Sequence, residues 1–165
     1  DVLISRFGVM FFADPVAAFT HLRAAVRPGG RLAFVCWQSR EDNEWTTVPA
    51  DALAAVVTLA PAAPDAPPDG FAFQDPARVR AILDAAGWTD IDLIDTARTV
   101  HLGDSADEAV AFIQQMDYAK AALDPASPEQ RAEALESVRA AFQAQAGAGG
   151  DIDLPGRVWL VRART

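Results

Sequence analysis

Few side chains in this sequence are of types that do chemistry at neutral pH. His21 and His101 are its two histidines and Cys36 its single cysteine. An imidazole titrates near neutrality and can serve as a general base. Each histidine stands alone, however. His21 falls between the apolar positions Phe19 and Leu22 of a helical segment, and His101 closes an extended run just before Gly103. Packing or surface roles suit both at least as well as catalysis. Two histidines with one cysteine do not furnish a zinc site. One cysteine makes no internal disulfide, so a reducing, cytoplasmic setting and a metal-free protein are the expectation. Glu129, Glu133 and Glu136 read as a solvated helix face, and nothing singles out Asp117 or Tyr118 as substrate contacts. Ala122 stands four residues after Tyr118, so no Tyr-x-x-x-Lys pair is present, which argues against a nucleotide-dependent oxidoreductase.

The elements that must position any site are punctuated clearly. Val2-Leu3-Ile4 and Arg31–Trp37 are apolar runs of the kind buried on both faces of a parallel sheet. Between them Asp14 and Pro15 open a helix, with Val16, Phe19, Leu22 and Val26 at helical spacing. Arg27-Pro28-Gly29-Gly30 stops it. Strand, helix, strand in that order is a βαβ unit. Residues 43–60 read as a helical insertion interrupted or started by Pro49, and Pro61–Gly70 as a proline-rich loop. Asp75-Pro76 opens a helix with the stripe Val79, Ile82, Leu83 and Ala86, which Gly87-Trp88 closes. Ile91–Leu102 is a third strand. Ser105 and Glu108 form a capping box for a helix expected to run through Phe112, Ile113 and Met116 to Leu123. Ser127-Pro128-Glu129-Gln130 opens another, carrying Leu135, Val138 and Phe142; a flexible Gly147–Gly150 segment then precedes a final strand at Arg157–Val161. The class is α/β.

Composition narrows the function. The chain has 165 residues, with 14 basic against 23 acidic side chains and a net charge of −9. Counterion release from phosphates needs clustered lysine and arginine, so nucleic acid is not an expected partner. No apolar stretch approaches ~18 residues, and no signal-peptide pattern is present, so no membrane association is expected. The sequence opens within an apolar run and without methionine. Domain termini are usually loose and polar, so the expectation is that an N-terminal part of a larger protein precedes Asp1.

The segments Asp1–Phe12, Asp14-Pro15, Leu22-Arg23 and Arg27–Leu32, taken in order, resemble class I S-adenosylmethionine-dependent methyltransferases, nearest the ubiquinone/menaquinone-biosynthesis-like branch. Asn43-Glu44-Trp45 with Val48-Pro49, Phe71-Ala72-Phe73, Leu83–Trp88 and Pro155–Trp159 are similar to bacterial members of it. The resemblance covers nearly the whole chain. It implies the C-terminal part of a Rossmann-like sheet, with residues 1–165 one partial domain and residues 43–74 a helical insertion or lid. The family's glycine-rich loop and the acidic residue for the cofactor ribose have no counterpart here. The only glycine cluster lies at Gly147–Gly150.

The resemblance also assigns roles. Ser5, Arg6 and Phe7 would lie beside the methionine portion of S-adenosylmethionine, at a strand's carboxyl end where open α/β sheets bind ligands; alternatively they merely end a strand. Met10, Phe11, Trp37, Trp45, Phe71 and Phe73 would line an apolar pocket for a small-molecule acceptor; alternatively they pack the insertion onto the sheet. Adjacent Met10, Phe11 and Phe12 cannot all face inward. Methyl transfer from a sulfonium needs alignment and exclusion of water more than a catalyst, and no catalytic residue is named. The expected activity is methyl transfer within a longer enzyme, with this stretch inactive alone. The rival is a non-catalytic fragment that self-associates, as a homodimer, through the apolar edge at Val2–Ile4.

Overall fold

The computed structural model describes residues 1–61 and 66–165, so part of the proline-rich loop expected at Pro61–Gly70 falls outside the described residues. The strands are β1 (Val2–Arg6), β2 (Arg31–Trp37), β3 (Thr89–Gly103) and β4 (Ile152–Arg164). The helices are α1 (Pro15–Ala24), α2 (Glu44–Ala54), α3 (Pro76–Ala85), α4 (Ala106–Ile113), α5 (Asp117–Leu123) and α6 (Pro128–Gln143). The strands form one sheet in the order β1-β2-β4-β3. β1 and β2 are parallel, with Val2 opposite Arg31 and Arg6 opposite Val35. β4 runs antiparallel to β2, from Arg31 opposite Arg164 to Trp37 opposite Val158. The mixed α/β class expected from the sequence is the class observed.

The chain divides into two compact units. The first comprises Asp1–Asp42, residues 66–98 and Arg157–Thr165. In it, the Asp14 carboxylate accepts a hydrogen bond from the Ala17 N–H at 3.0 Å and so caps α1. Gly30 then admits β2 at close quarters: a Cβ there would lie 2.2 Å from Val26 Cγ1 and 2.9 Å from the Arg27 carbonyl oxygen. α3 is capped by Asp75 and ends in a Schellman motif. Gly87 takes φ +83°, its N–H donates to the Asp84 carbonyl, and the Trp88 N–H donates to Leu83. The core gathers Phe19, Phe34 and Phe73, whose ring centroids stand 5.6–6.3 Å apart, with Met10, Leu32, Cys36, Leu83 and Trp88 around them.

Cys36 is fully buried in this core, and desolvation pushes its thiol pKa up to about 12. Its thiol is therefore expected to resist alkylation in native protein at pH 8 and to react once denaturant is added. Fast labelling of the native fold, followed by mass spectrometry, would contradict the burial.

The second unit comprises residues 43–61 and Thr99–Gly156. Here α2 and α4 pack against α6, around Leu53, Val110, Ile113, Val138 and Phe142. Ser127 and Gln130 complete a reciprocal capping box on α6. At α4 the box is displaced by one residue: Ser105 Oγ accepts from the Glu108 N–H, but Glu108 accepts from Asp104.

Four expectations change in detail. α2 ends at Ala54 instead of near residue 60, where the β-branched residues Val56, Val57 and Thr58 follow. The single helix expected from Ser105 to Leu123 is two, because Met116 is extended (φ −73°, ψ 138°) at the position just before α5. That break lets Ala119, Ala122 and Leu123 be buried as well as Val110 and Ile113. β4 starts five residues before the expected Arg157 and runs through Pro155-Gly156. Gly156 is needed within it, since a Cβ would meet Val100 Cγ2 at 2.8 Å. Finally, Gly147–Gly150 is a hydrogen-bonded turn: Gly150 N–H donates to Gly147 O and Gly147 N–H to Asp151 O, both at 2.9 Å.

Candidate functional site

The carboxyl ends of the parallel strands β1 and β2 lie side by side because Arg6 pairs with Val35. Just beyond, the chain turns sharply at Phe7, which takes φ +54°. This left-handed conformation is a genuine outlier for a bulky side chain. Two interactions hold it: the Phe7 N–H donates to the Val35 carbonyl at 3.2 Å, and the ring stacks on Trp37 with centroids 4.4 Å apart and planes 16° from parallel. Both rings are half-buried. Ser5 lies beneath the turn, its Oγ 3.3 Å from where a Cβ on Gly8 would be. Arg6 is exposed.

A second wall follows β2. The Arg40 guanidinium sits 4.2 Å from the centroid of the Phe71 ring and pairs with Asp69 at 2.8 Å. The Asp69 carboxylate also accepts from the Phe71 N–H at 2.8 Å, which fixes the loop carrying that ring. Gly70 passes the edge of Trp37, with its hypothetical Cβ 3.7 Å from Trp37 Cδ1. Next to Trp37 the buried Gln38 donates to Asp95 at 2.7 Å and to the Val158 carbonyl at 3.0 Å. Arg157 pairs with the same carboxylate. Gln38 first, and Arg157 with it, hold the Asp95 pKa below the usual carboxylate range.

Phe7, Trp37 and Phe71 thus belong with Ser5 and Arg6 to the first unit, at one end of its strands. Met10 and Phe73 also belong to this unit but are fully buried in its core. Phe11 is 55% exposed, whereas its neighbour Phe12 packs edge-on against Phe19. Trp45 belongs to the second unit, where its Nε1–H donates to Asn43 Oδ1 at 3.1 Å. Sequence reasoning missed Arg40, Asp69, Gln38, Asp95 and Arg157. Their pairings join positions far apart in the chain, and no local pattern marks them.

His21 is exposed on α1. His101, in the second unit, has its Nδ1 2.8 Å from Asp153 and its Nε2 3.3 Å from Asp104. The hydrogen bond to Asp153, more than the charges of Asp104 and Asp151, raises its pKa above the ordinary 6.5. A raised pKa means the folded state binds the proton more tightly. The stabilisation is therefore complete below the unfolded-state pKa and is lost as pH rises through the folded-state value. An NMR titration of His101 is expected to show a midpoint above the ordinary 6.5, and Asp153→Asn is expected to bring it down. A midpoint at or below that ordinary value in the unaltered protein would contradict the geometry.

No helix among the described residues is long and apolar enough to cross a membrane, and no cluster of metal-ligating side chains occurs among them. No protein-family model matches the chain, and no curated protein does. Solved structures do. YcgJ of Bacillus subtilis matches with a TM-score of 0.52 at 15% identity, over 100% of this chain and 63% of its own. A Bacillus halodurans protein assigned as a methyltransferase gives 0.47 at 14% identity, over 99% and 63%. Phosphoethanolamine N-methyltransferase 2 of Haemonchus contortus, solved with phosphomonomethylethanolamine and S-adenosylhomocysteine, gives 0.40 at 13%, over 100% and 33%. The chain therefore spans less than two thirds of the length of these proteins. The likeness to YcgJ is one of fold: the expected Rossmann-like arrangement of sheet and helices.

Proposed function

We propose that this chain takes part in methyl transfer from S-adenosylmethionine to a small-molecule acceptor, as part of a longer enzyme. The observation that carries the reading is the Phe7–Trp37 stack, set at the carboxyl ends of adjoining parallel strands, where open α/β sheets bind ligands. The ordered resemblance of segments from Asp1 to Trp159 to methyltransferases supports it.

The residues present fit such a cofactor. Aromatic faces favour a sulfonium charge, and the strained turn at Phe7 is the kind of backbone found at ligand clamps. When bound, S-adenosylmethionine supplies an electrophilic methyl group, so the protein's tasks are alignment and exclusion of water. Phe7 and Trp37 present a rigid apolar wall for that purpose. Ser5 offers a hydroxyl, and Arg6 a cation, on the cofactor side. Phe71, braced by Arg40 and Asp69, forms the acceptor side and favours a flat, apolar acceptor. A base is needed only if the acceptor must lose a proton, and none is assigned.

Calorimetric titration of the longer enzyme with S-adenosylhomocysteine tests the reading. Binding is expected, and Trp37→Ala should weaken it by about tenfold or more, the equivalent of ~1.4 kcal/mol. No heat of binding to the unaltered longer enzyme would overturn it.

A further inference from the structure

The ring of Phe71 is carried by residues 69–74, a stretch of turns outside any helix or strand. Within it the Ala72 N–H donates to the Asp69 carbonyl at 3.2 Å and the Gln74 N–H to the Phe71 carbonyl at 3.0 Å. Two turns alone resist opening poorly, and segments of this kind are the usual material of lids. This one is gripped at its far end by the sheet. Cys36 of β2 and Trp159 of β4 are register partners, and they donate to consecutive carbonyls of the stretch. The Cys36 thiol reaches Phe73 at 3.9 Å and the Trp159 Nε1–H reaches Gln74 at 3.0 Å. A thiol is a weak donor, so the indole is the stronger of the two. At the near end Arg40 and Asp69 hold Phe71, but their ion pair is exposed on both sides, 43% and 58%. Such pairs hold weakly and yield to salt, which a neutral indole bond does not.

We infer that Trp159 is a positioning residue for the acceptor side of the site: by holding Gln74 it keeps residues 69–74 as a pre-formed wall for Phe71, and the acceptor is selected by a fixed surface instead of by closure of this segment. The inference rests on the methyl-transfer reading above for what the wall does, and on the hydrogen bonds of residues 69–74 for its rigidity. Trp159 acts through Phe71 and is assigned no contact with either ligand. A wall that is ordered beforehand costs little entropy when the acceptor arrives. Phe73, between the two gripped carbonyls, fixes the stretch further by planting its ring beside Phe19 and Phe34 in the core. Releasing the Gln74 carbonyl therefore loosens the acceptor side while Phe7 and Trp37, held by their own stack, stay in place for the cofactor.

Trp159→Phe in the longer enzyme tests this, since it removes the indole N–H and keeps an aromatic ring beside Cys36. Hydrogen exchange read by mass spectrometry is expected to speed up by about tenfold at the amides of Phe71, Ala72 and Gln74, with α1 and β2 unchanged. Affinity for S-adenosylhomocysteine should stay within about twofold, whereas naphthol, a flat and mostly apolar fluorescent probe, should bind about fivefold or more weakly. A merely structural role would move both ligands or neither. Cys36→Ala, which removes the paired donor, should shift the same amides in the same direction by less, and it serves should Trp159→Phe fail to fold. Unchanged exchange in both variants, a parallel loss of both ligands, or naphthol that binds Trp159→Phe as well as the unaltered enzyme would overturn the inference. An unaltered enzyme that binds no naphthol would overturn it too, because residues 69–74 would then not be an acceptor wall. An unaltered enzyme that binds naphthol but no S-adenosylhomocysteine would instead sink the methyl-transfer reading, and the exchange rates would still decide whether Trp159 holds the wall.

Discussion

Replacing Trp88 by alanine is expected to lower the unfolding free energy by about 3–5 kcal/mol in equilibrium urea denaturation. Trp88 is 2% exposed and serves two structures at once. Its backbone N–H closes the end of α3 on Leu83, and its indole Nε1–H donates to the Phe19 carbonyl of α1 at 3.1 Å. Truncation leaves a cavity between the two helices in a core that already holds Phe19 and Leu83 at no exposure. Trp88→Phe separates the contributions. It keeps most of the volume and removes only the indole hydrogen bond, so a loss of about 1–2 kcal/mol is expected. If Trp88→Ala cost no more than Trp88→Phe, the side chain would not be packing the core as described.

The second large effect is at Phe7, where stability and binding should part company. The left-handed conformation (φ +54°) costs a residue other than glycine about 1–2 kcal/mol. Phe7→Ala keeps that cost and loses the stack on Trp37. Phe7→Gly loses the same ring but relieves the backbone. The glycine variant should therefore be more stable than the alanine variant by about 1 kcal/mol, after allowing for glycine's greater freedom when unfolded. Both should lose affinity for S-adenosylhomocysteine by about tenfold or more, because the aromatic wall is gone in each. Denaturation and calorimetry on the same two proteins check this. An alanine variant as stable as the glycine variant would show that the turn is unstrained.

Much of this fold was legible because its helix ends are written in side-chain chemistry. Asp14, Asp75, Ser105 and Ser127 each cap the helix they announce. Gly87-Trp88 stops α3 by the expected means. The stripe Val79, Ile82, Leu83 and Ala86 is buried to the last member. The break between α4 and α5 was not legible, because Gln114-Gln115-Met116 carries no glycine or proline and the turn there follows from burying two apolar sets. The last strand was legible only from Arg157, yet Pro155-Gly156 is strand interior: the burial alternation of β4 continues through it, and the missing Cβ makes room for Val100. At the candidate site, Phe7 and Trp37 were each legible as residues at the end of a strand. Their stacking, the brace of Arg40 on Phe71 and the Gln38–Asp95–Arg157 cluster all depend on register between distant segments, which local pattern does not encode.

The division of the chain also bears on the order in which it folds. Neither unit is a continuous stretch: the first needs Asp1–Asp42, residues 66–98 and the last nine residues together. Thr165 reaches back to the Arg27 carbonyl, 138 positions earlier, and β4 is the neighbour of β2 on the side away from β1. During synthesis the core around Phe34 and Val161 therefore stays open until Arg157–Thr165 have been made, whereas the contacts among α4, α5 and α6 lie closer in sequence. Non-local pairing of this kind is slow, and until β4 arrives β2 offers an unpaired apolar strand to other chains. Loss of Arg157–Thr165 thus forfeits the closing strand of the first unit and leaves the apolar edge of β2 open to pairing with other chains.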